Sequence, residues 1–264
     1  MSLLTERSYA SLLVKCEGGV ATLSLHNPAR KNAIGPRMVN ELLYALGDAA
    51  EDDAVRSVVL TGSGDAFCAG GDFAQMTGGS AEDELPPKGD YADLLLAVAR
   101  SEKPVIARVN GHAMGGGLGL VAASHFAIAA RGAKLGTPEI NVGLFPMMIM
   151  AVLARVVPRR RLLEMMLFGE RFDADEAARL GLVNRAVEPS ELDAAVAEIA
   201  AKIASKSPVT VRLGLSALAA QDDLPLDEAL PLLRERLSLC LATDDAREGL
   251  MAFLEKRPPL WTGK

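Results

Sequence analysis

Residues 110–117 read Asn-Gly-His-Ala-Met-Gly-Gly-Gly, and the organisation of the chain can be worked out from this stretch. It follows an apolar segment at 104–109 that is typical of a strand, and it continues into an apolar, helix-like segment that runs to about Ala123. Glycine permits positive φ angles and lets the backbone approach a ligand closely. The stretch therefore predicts a strand, a tight turn and a helix that begins at the glycines.

Gly115, Gly116 and Gly117 lie where this helix should begin. The first N–H groups of a helix have no partner within it, and the helix dipole favours negative charge there. An oxyanion formed during a reaction would be stabilised at this position, and losing one such donor costs about 3–4 kcal/mol of barrier. An ordinary tight turn is the other interpretation of three glycines alone. The stretch does not match GxxxxGK[ST], so it gives no support for a P-loop.

Two further segments stand out. Residues 67–72 read Phe-Cys-Ala-Gly-Gly-Asp and follow a strand-like region at 55–60. Residues 136–139 read Gly-Thr-Pro-Glu, and a glutamate after a proline is often a surface residue or a helix cap. Apolar neighbours from Phe145 to Met150 would desolvate Glu139 and raise its pKa, which suits a base that works near neutral pH.

Strand-like and helix-like segments alternate through the first part of the chain. Strands are expected at 20–25, 55–60, 104–109 and 126–130, helices at about 36–50 and 91–100, and a mobile loop at 80–90. From Met147 onward helices dominate, and the last of them are expected at 191–205, 209–220, 226–242 and 244–256. This order predicts an α/β core at 1–200 and a helical C-terminal region at 201–264. We expect the leucine-rich C-terminal region to pack on another subunit.

Composition excludes several classes of protein. The 264 residues carry a net charge of −6 and show no basic face, which argues against nucleic-acid binding. No uninterrupted apolar stretch of about 18 residues is present, so no membrane span is expected. The three cysteines and three histidines show no metal-ligand spacing. We expect free thiols, no metal, and a cytoplasmic location without a signal peptide.

Taken in order, the segments AGGD (69–72), NGHAMGGG (110–117), GTPE (136–139) and FLEKRPP (253–259) resemble the enoyl-CoA hydratase/isomerase family, also called the crotonase superfamily. The resemblance covers nearly the whole chain, beginning at NPARKNAI (27–34). It implies a crotonase-like spiral of ββα units with a C-terminal helical trimerisation region, assembled as a homotrimer or a hexamer (a dimer of trimers). It also implies an enzyme that acts on an acyl-CoA thioester through an enolate. Coenzyme A would then be part of the substrate, and no cofactor would be tightly bound.

The resemblance assigns roles to particular residues. The backbone N–H groups of Gly71 and Gly116 would form the oxyanion hole, and Glu139 would be the catalytic base. Phe253 and Lys256 are candidates for a contact with the coenzyme A of a neighbouring subunit. The adenine end of coenzyme A would lie against Lys31, Asn32, Ala33, Ala69, Gly70 and Asp72.

One position departs from the family pattern. Hydratases of this family carry a second glutamate twenty positions before the one that matches Glu139, and this chain has Gly119 there. Hydration needs both a placed water and a delivered proton, for which two carboxylates are better than one. Moving a double bond needs a single base between C2 and C4. The sequence therefore favours isomerase-like proton shuttling, or a hydratase whose water is held by other groups.

Several alternatives stay open at this point. Residues 147–150, Met-Met-Ile-Met, either line the acyl pocket or belong to the helix core. His112 and His125 are candidate proton carriers, although a structural role is the simpler interpretation. Gly119 also fits a relative that binds acyl-CoA with weak or no catalysis. A serine peptidase on a related spiral fold is disfavoured, because the glycine loops hold no serine at the reacting position.

Overall fold

The computed structural model describes residues 3–72 and 85–264. Its strands in these ranges are β1 (Leu12–Glu17), β2 (Val20–Leu25), β3 (Ser57–Gly62), β4 (Ala66–Cys68), β5 (Val105–Val109), β6 (His112–Met114), β7 (Phe126–Ala130), β8 (Lys134–Gly136), β9 (Arg171–Asp173) and β10 (Arg185–Val187). Its helices are α1 (Leu3–Glu6), α2 (Pro36–Glu51), α3 (Tyr91–Ala99), α4 (Gly116–Ala123), α5 (Met147–Val156), α6 (Arg159–Phe168), α7 (Ala174–Arg179), α8 (Leu192–Ala204), α9 (Pro208–Gln221), α10 (Leu226–Leu241) and α11 (Asp244–Glu255).

The strands form two sheets. The larger has the order β1-β2-β3-β5-β7-β10, with β1 antiparallel to β2 and the other pairs parallel. All six residues of β3 are buried, as expected for a strand that is covered on both faces. The strands predicted at 20–25, 55–60, 104–109 and 126–130 all belong to this sheet, with boundaries shifted by at most two residues. The predicted α/β class is confirmed.

The smaller sheet has the order β4-β6-β8-β9 and was not predicted from the sequence. Each of its strands has three residues, which is too short for an alternating pattern to be recognised. Strand β6 lies within the stretch 110–117 that we expected to be a single turn. The pairs β4–β6 and β6–β8 are parallel, so the three chain segments leave these strands at the same edge of the sheet.

Helix α4 is the buried helix that the glycines were expected to start. Its residues from Gly117 to Ala123 are all buried, and apolar side chains surround its axis. A Cβ atom at Gly117 would lie 2.5 Å from Cβ of Cys68, which is closer than real side chains come. Glycine at this position therefore allows α4 to pack directly against the end of β4.

The predicted mobile loop at 80–90 lies partly outside the described residues. The described part, 85–90, is held against α2, because the Asn40 side-chain amide donates to the carbonyl oxygens of Leu85 and Pro86 at 3.1 Å. Lys88 N–H in turn donates to Asn40 Oδ1 at 2.8 Å. These bonds fix the direction in which the chain enters α3.

Helices α8 to α11 follow one another at the C-terminal end of the chain. Large apolar side chains of α10 are exposed in a stripe, namely Leu226, Leu230, Leu237 and Leu241. Within the described ranges, no helix combines the length and the apolar character that a membrane crossing requires. The division at residue 200 stays a prediction.

Asp245 ties the last residues of the chain to this helical region. Its carboxylate is buried and accepts hydrogen bonds from Ser207 Oγ at 2.7 Å, from Thr262 N–H at 2.7 Å and from Gly263 N–H at 3.1 Å. These hydrogen bonds stabilise the fold, since they satisfy the buried carboxylate and the buried Ser207 hydroxyl and hold the exposed chain end in place.

We expect Asp245→Ala to lower the free energy of unfolding by about 2–3 kcal/mol, because it leaves the buried Ser207 hydroxyl unpaired and removes the bonds that hold residues 262 and 263. Denaturant unfolding monitored by circular dichroism measures the change. Asp244→Ala is the matched control, since Asp244 forms only an exposed ion pair with Arg247 and should cost no more than about 0.5 kcal/mol. Equal losses in the two variants would contradict this account of the C-terminal region.

Candidate active site

Three chain segments meet where β4, β6 and β8 end. Gly70 and Gly71 follow β4, Gly115 and Gly116 follow β6, and Glu139 lies in a 3-10 turn just after β8. The Gly115 N–H donates to the carbonyl oxygen of Gly136 at 2.9 Å, which continues the β6–β8 pairing up to this point. The structure thus brings together the three segments that the sequence singled out.

Gly71 and Gly116 both line one cavity of about 450 Å³. Gly71 forms a bridge with Ile34, but the bonds of that bridge use the N–H of Ile34 and the N–H of Asp72. Within residues 3–72 and 85–264, neither the N–H of Gly71 nor that of Gly116 has a hydrogen-bond partner. Two such amide donors on residues that line one cavity are suited to bind an oxygen that becomes negative during a reaction.

Glu139 reaches the same cavity from the third segment. Its Oε1 lies 2.7 Å from where a Cβ atom at Gly115 would be, and its Oε2 is buried without a hydrogen-bond partner in the described part of the chain. Burial raises the pKa of Glu139 above the ordinary value for a glutamate, and a hydrogen bond from its own N–H offsets only part of that rise. A partly desolvated carboxylate with a raised pKa is suited to accept a proton from carbon.

The remaining wall of the cavity is mainly apolar. It includes Met147, Met148 and Ile149 from the start of α5, with Phe145 just before that helix. Met150 is half-buried and packs on the core instead. The segment is thus divided between the cavity wall and the core, and whether the cavity takes an acyl chain stays a prediction. An apolar cavity with a few polar groups is typical of a site for a small molecule.

The position of the missing glutamate is filled by other side chains. A Cβ atom at Gly119 would lie 2.4 Å from the hydroxyl oxygen of Tyr91 and 2.5 Å from Cγ2 of Ile149. The Tyr91 hydroxyl donates to the carbonyl oxygen of Gly116 at 2.5 Å. Any side chain at position 119 would thus require both neighbours to move.

Tyr91 is the site residue that the sequence did not reveal. It is the first residue of α3, and its ring also lines the cavity. Asp90 caps this helix by accepting from the N–H groups of Ala92 and Asp93, while Asp93 accepts from Asp90 N–H. The capping residues could have marked the start of the helix. No local pattern links Tyr91 to Gly119, because the contact depends on how α3 packs against α4.

The two segments predicted to hold the adenine end of coenzyme A are paired with each other. The N–H of Ala69 donates to the carbonyl oxygen of Lys31 at 2.9 Å, and the N–H of Ile34 donates to the carbonyl oxygen of Gly70 at 2.7 Å. Lys31 and Ala69 are exposed, and Ala33 is half-buried. That these two segments bind coenzyme A stays a prediction. The structure shows that they lie side by side, joined by backbone hydrogen bonds.

Two residues of that predicted set are engaged within the fold. Asn32 is fully buried, and its side-chain amide donates to the carbonyl oxygens of Ser63 at 2.8 Å and Ala66 at 2.9 Å. Asp72 is buried and forms an ion pair with Arg30 at 2.7 Å. These side chains hold the two segments together, which leaves backbone groups as their means of contacting a ligand.

The candidates near the C-terminus lie elsewhere in the chain. Phe253 and Lys256 are exposed at the end of α11, and neither lines the cavity of its own chain. Their predicted contact would therefore have to be with a neighbouring subunit.

The two histidine candidates make structural contacts. His125 Nδ1 accepts from the N–H of Val105 at 3.0 Å, and His112 Nδ1 accepts from the N–H of Lys134 at 3.0 Å. Burial also lowers the pKa of His125, which favours its neutral form. Neither histidine lines the cavity. The structural interpretation of both residues fits these contacts.

Comparison with known proteins supports the fold. The family model described as enoyl-CoA hydratase/isomerase matches residues 15–264. A crotonyl-CoA hydratase of Syntrophomonas wolfei is 36% identical over 252 residues, which cover 95% of this chain and 97% of the relative. A short-chain-enoyl-CoA hydratase of Clostridium acetobutylicum is 35% identical over 253 residues, covering 94% and 95%. The crystal structure of an enoyl-CoA hydratase from Mycobacterium smegmatis matches with a TM-score of 0.87 and 38% identity, covering 95% of this chain and 98% of that one. The predicted crotonase-like fold is confirmed.

We expect Gly115→Ala to lower kcat by about 10²-fold with a smaller change in KM, because a Cβ atom there would push the Glu139 carboxylate aside and a displacement near 1 Å costs about that much. Steady-state kinetics on an enoyl-CoA substrate measures the effect. Gly115 also has a positive φ of 49°, so the substitution adds backbone strain.

Gly18→Ala is the matched control for that strain. Gly18 has a φ of 57°, and nothing lies within 4 Å of the added Cβ atom. It should lower stability while leaving kcat within about twofold. A Gly115→Ala enzyme with the kinetics of the control would contradict the assigned position of Glu139.

Proposed function

The chain belongs to the enoyl-CoA hydratase/isomerase family, and we propose that it catalyses proton transfer at C2 of an acyl-CoA thioester through an oxyanion-stabilised enolate. The observation that carries this proposal is that one cavity is lined by two amides without a partner in residues 3–72 and 85–264 and by one partly desolvated carboxylate. This arrangement provides donors for a developing oxyanion and a base for the adjacent carbon.

The chemistry follows from the groups present. The thioester oxygen accepts hydrogen bonds from the N–H groups of Gly71 and Gly116, and Glu139 removes a proton from C2. The electron pair of the broken C–H bond forms a C1–C2 double bond and the carbonyl π pair moves onto the oxygen as the enolate forms, which strengthens both hydrogen bonds. Return of the proton from Glu139 to C4 of a conjugated dienolate completes the shift of a double bond from C3–C4 to C2–C3.

The surroundings of Gly119 favour isomerisation as the main reaction. The Tyr91 hydroxyl and the Ile149 side chain occupy the space next to Gly119, so no second carboxylate faces Glu139 from α4. A single base can carry one proton between two carbons of the same substrate. Addition of water is the second candidate, supported by the relatives that are named hydratases at 35% and 36% identity.

The assembly and the coenzyme A contacts are further parts of the proposal. Exposed leucines of α10, together with Leu250 and Phe253 of α11, offer an apolar surface that burial between subunits would stabilise. We propose a homotrimer or a dimer of trimers, in which Phe253 and Lys256 approach the coenzyme A bound by a neighbour, and Lys31 to Ala33 and Ala69 to Asp72 hold its adenine end. Native mass spectrometry of the full chain distinguishes these assemblies from a monomer. A cytoplasmic location also stays a prediction.

Two substrates test the reaction. A 3-enoyl-CoA gains the absorbance of a conjugated thioester when it is isomerised, whereas crotonyl-CoA loses that absorbance when it is hydrated. We expect kcat/KM for isomerisation to exceed that for hydration by at least about tenfold, since two carboxylates place water better than one. A larger kcat/KM with crotonyl-CoA would make hydration the main reaction. Tight binding of both thioesters without turnover would identify an acyl-CoA-binding protein instead.

Glu139→Gln should lower kcat by about 10²–10⁴-fold, which is the usual contribution of a general base. Glu170→Gln is the matched control, because Glu170 is exposed and does not line the cavity. In the wild type, kcat/KM should fall at acid pH with an apparent pKa above the ordinary value for glutamate, because only the ionised carboxylate is a base. Full activity of the Glu139→Gln variant would exclude Glu139 as the base.

Stability provides an independent check on the same residue. Because the pKa of Glu139 is raised in the folded protein, its ionisation costs folding free energy as pH rises through that pKa. The Glu139→Gln variant should therefore be more stable than the wild type at about pH 8, and the two should converge below about pH 4. Thermal unfolding across this pH range measures the difference, and a variant less stable at pH 8 would contradict the desolvation of Glu139.

A further inference from the structure

Tyr91 lies beside the proposed reaction centre but takes no part in the proton transfer between Glu139 and the thioester. It lines the cavity together with Gly71, Gly116 and Glu139. Its hydroxyl group occupies the space where a side chain at Gly119 would begin, because a Cβ atom there would lie only 2.4 Å from the hydroxyl oxygen. A residue placed there affects both the shape of the site and the groups around it.

The Tyr91 hydroxyl is hydrogen-bonded to Gly116, whose N–H is one of the two amides without a partner in the described ranges. The hydroxyl donates to the Gly116 carbonyl at 2.5 Å, and Gly116 lines the cavity. In the first turn of a helix that begins with three glycines, the backbone has more conformational freedom than with other residues. The Gly116 carbonyl belongs to the peptide unit that follows Gly116, so this hydrogen bond fixes that unit and thereby limits rotation about the backbone bonds of Gly116 that connect it to the N–H.

The ring of Tyr91 restricts the same turn by direct contact. A Cβ atom at Gly116 would lie 3.4 Å from both Cζ and the hydroxyl oxygen of Tyr91. Tyr91 is held in place by α3, of which it is the first residue. A capping box at Asp90 stabilises the start of this helix, and the buried Leu94, Leu95 and Val98 anchor it in the core. The orientation of the Gly116 turn is thus set by a rigid neighbour.

The hydroxyl keeps its proton under all ordinary conditions. Burial raises the pKa of Tyr91 well above the ordinary value for tyrosine, and the nearby Cys68 and Glu139 groups raise it further. A phenol that stays neutral can donate a hydrogen bond next to Glu139 without adding a second negative charge.

We infer that Tyr91 is a positioning residue for the oxyanion hole, and that its hydroxyl group orients the Gly116 amide toward the thioester oxygen. Glycine at position 119 is the counterpart of this arrangement, because it alone leaves room for the hydroxyl. The inference rests on the proposed thioester chemistry, and it adds a residue from α3 to a site otherwise built from loops after β4, β6 and β8.

Tyr91→Phe tests the inference, because it removes the hydroxyl and keeps the ring. We expect kcat with a 3-enoyl-CoA to fall about tenfold while KM stays within about twofold, since the loss acts on the developing oxyanion rather than on binding. Tyr44→Phe is the matched control. The Tyr44 hydroxyl also donates to a backbone carbonyl, that of Pro86 at 3.1 Å, but Tyr44 does not line the cavity.

Vibrational spectroscopy of a bound thioester distinguishes a loss of Gly116 positioning from a general loss of structure. Butyryl-CoA labelled with ¹³C at the thioester carbon binds without a double bond to move, and its carbonyl stretching band shifts to lower frequency when two amides polarise it. We expect the wild type and Tyr44→Phe to show this shift, and Tyr91→Phe to lose at least half of it. Circular dichroism and thermal unfolding of all three proteins report whether they are equally folded.

The outcomes distinguish the inference from the proposed function. A Tyr91→Phe enzyme that keeps both the band shift and kcat overturns the role of Tyr91 and leaves the thioester chemistry intact. A Tyr91→Phe enzyme that only melts at a lower temperature, with kcat, KM and the band unchanged, shows a purely structural role and overturns it equally. A wild type that neither binds butyryl-CoA nor converts an enoyl-CoA overturns the proposed function, and the inference with it.

Discussion

The parallel pairing of β4, β6 and β8 is the constraint on which the candidate site depends. These strands have only three residues each, yet their pairing brings the chain at Gly71, Gly116 and Glu139 to the same edge of one small sheet. The pairing requires α4 to lie directly against β4, which a side chain at Gly117 would prevent, since its Cβ atom would approach Cβ of Cys68 to 2.5 Å. The glycines of this chain thus determine the packing as well as the conformation of its loops.

The same edge concentrates polar groups that the rest of the fold does not satisfy. The amides of Gly71 and Gly116 have no partner within the described ranges, and Glu139 Oε2 is buried without one. A buried group without a partner, as Glu139 Oε2 is within the described ranges, costs folding free energy, and such costs are typical of sites that are arranged for a reaction. Nearby, Asn32 shows the contrasting case, because its buried amide is fully used in joining the two segments next to the site.

Much of this structure could be predicted from the sequence, and the reasons differ from element to element. Long apolar patterns identified the strands at 20–25 and 104–109, and the glycines identified the start of α4. The smaller sheet was missed because strands of three residues have no detectable period. The sequence shows that position 119 is not a glutamate, but it does not show that Tyr91 occupies the space beside it. Tyr91 reaches Gly119 from another helix, and a contact of that kind depends on packing alone.

In the described part of the chain, the space next to Gly119 holds the Tyr91 phenol and no carboxylate. This changes the electrostatics of Glu139, the proposed base. When two carboxylates share a site, each disfavours the charge of the other, and the pKa of one of them is strongly raised. Here Tyr91 is neutral, and Asp90, the other acidic residue along the described cavity wall, is engaged as a helix cap. The raised pKa of Glu139 therefore comes from burial. Burial makes the Glu139 carboxylate a stronger base, and taking a proton from one carbon and returning it to another is what the proposed double-bond shift requires of it.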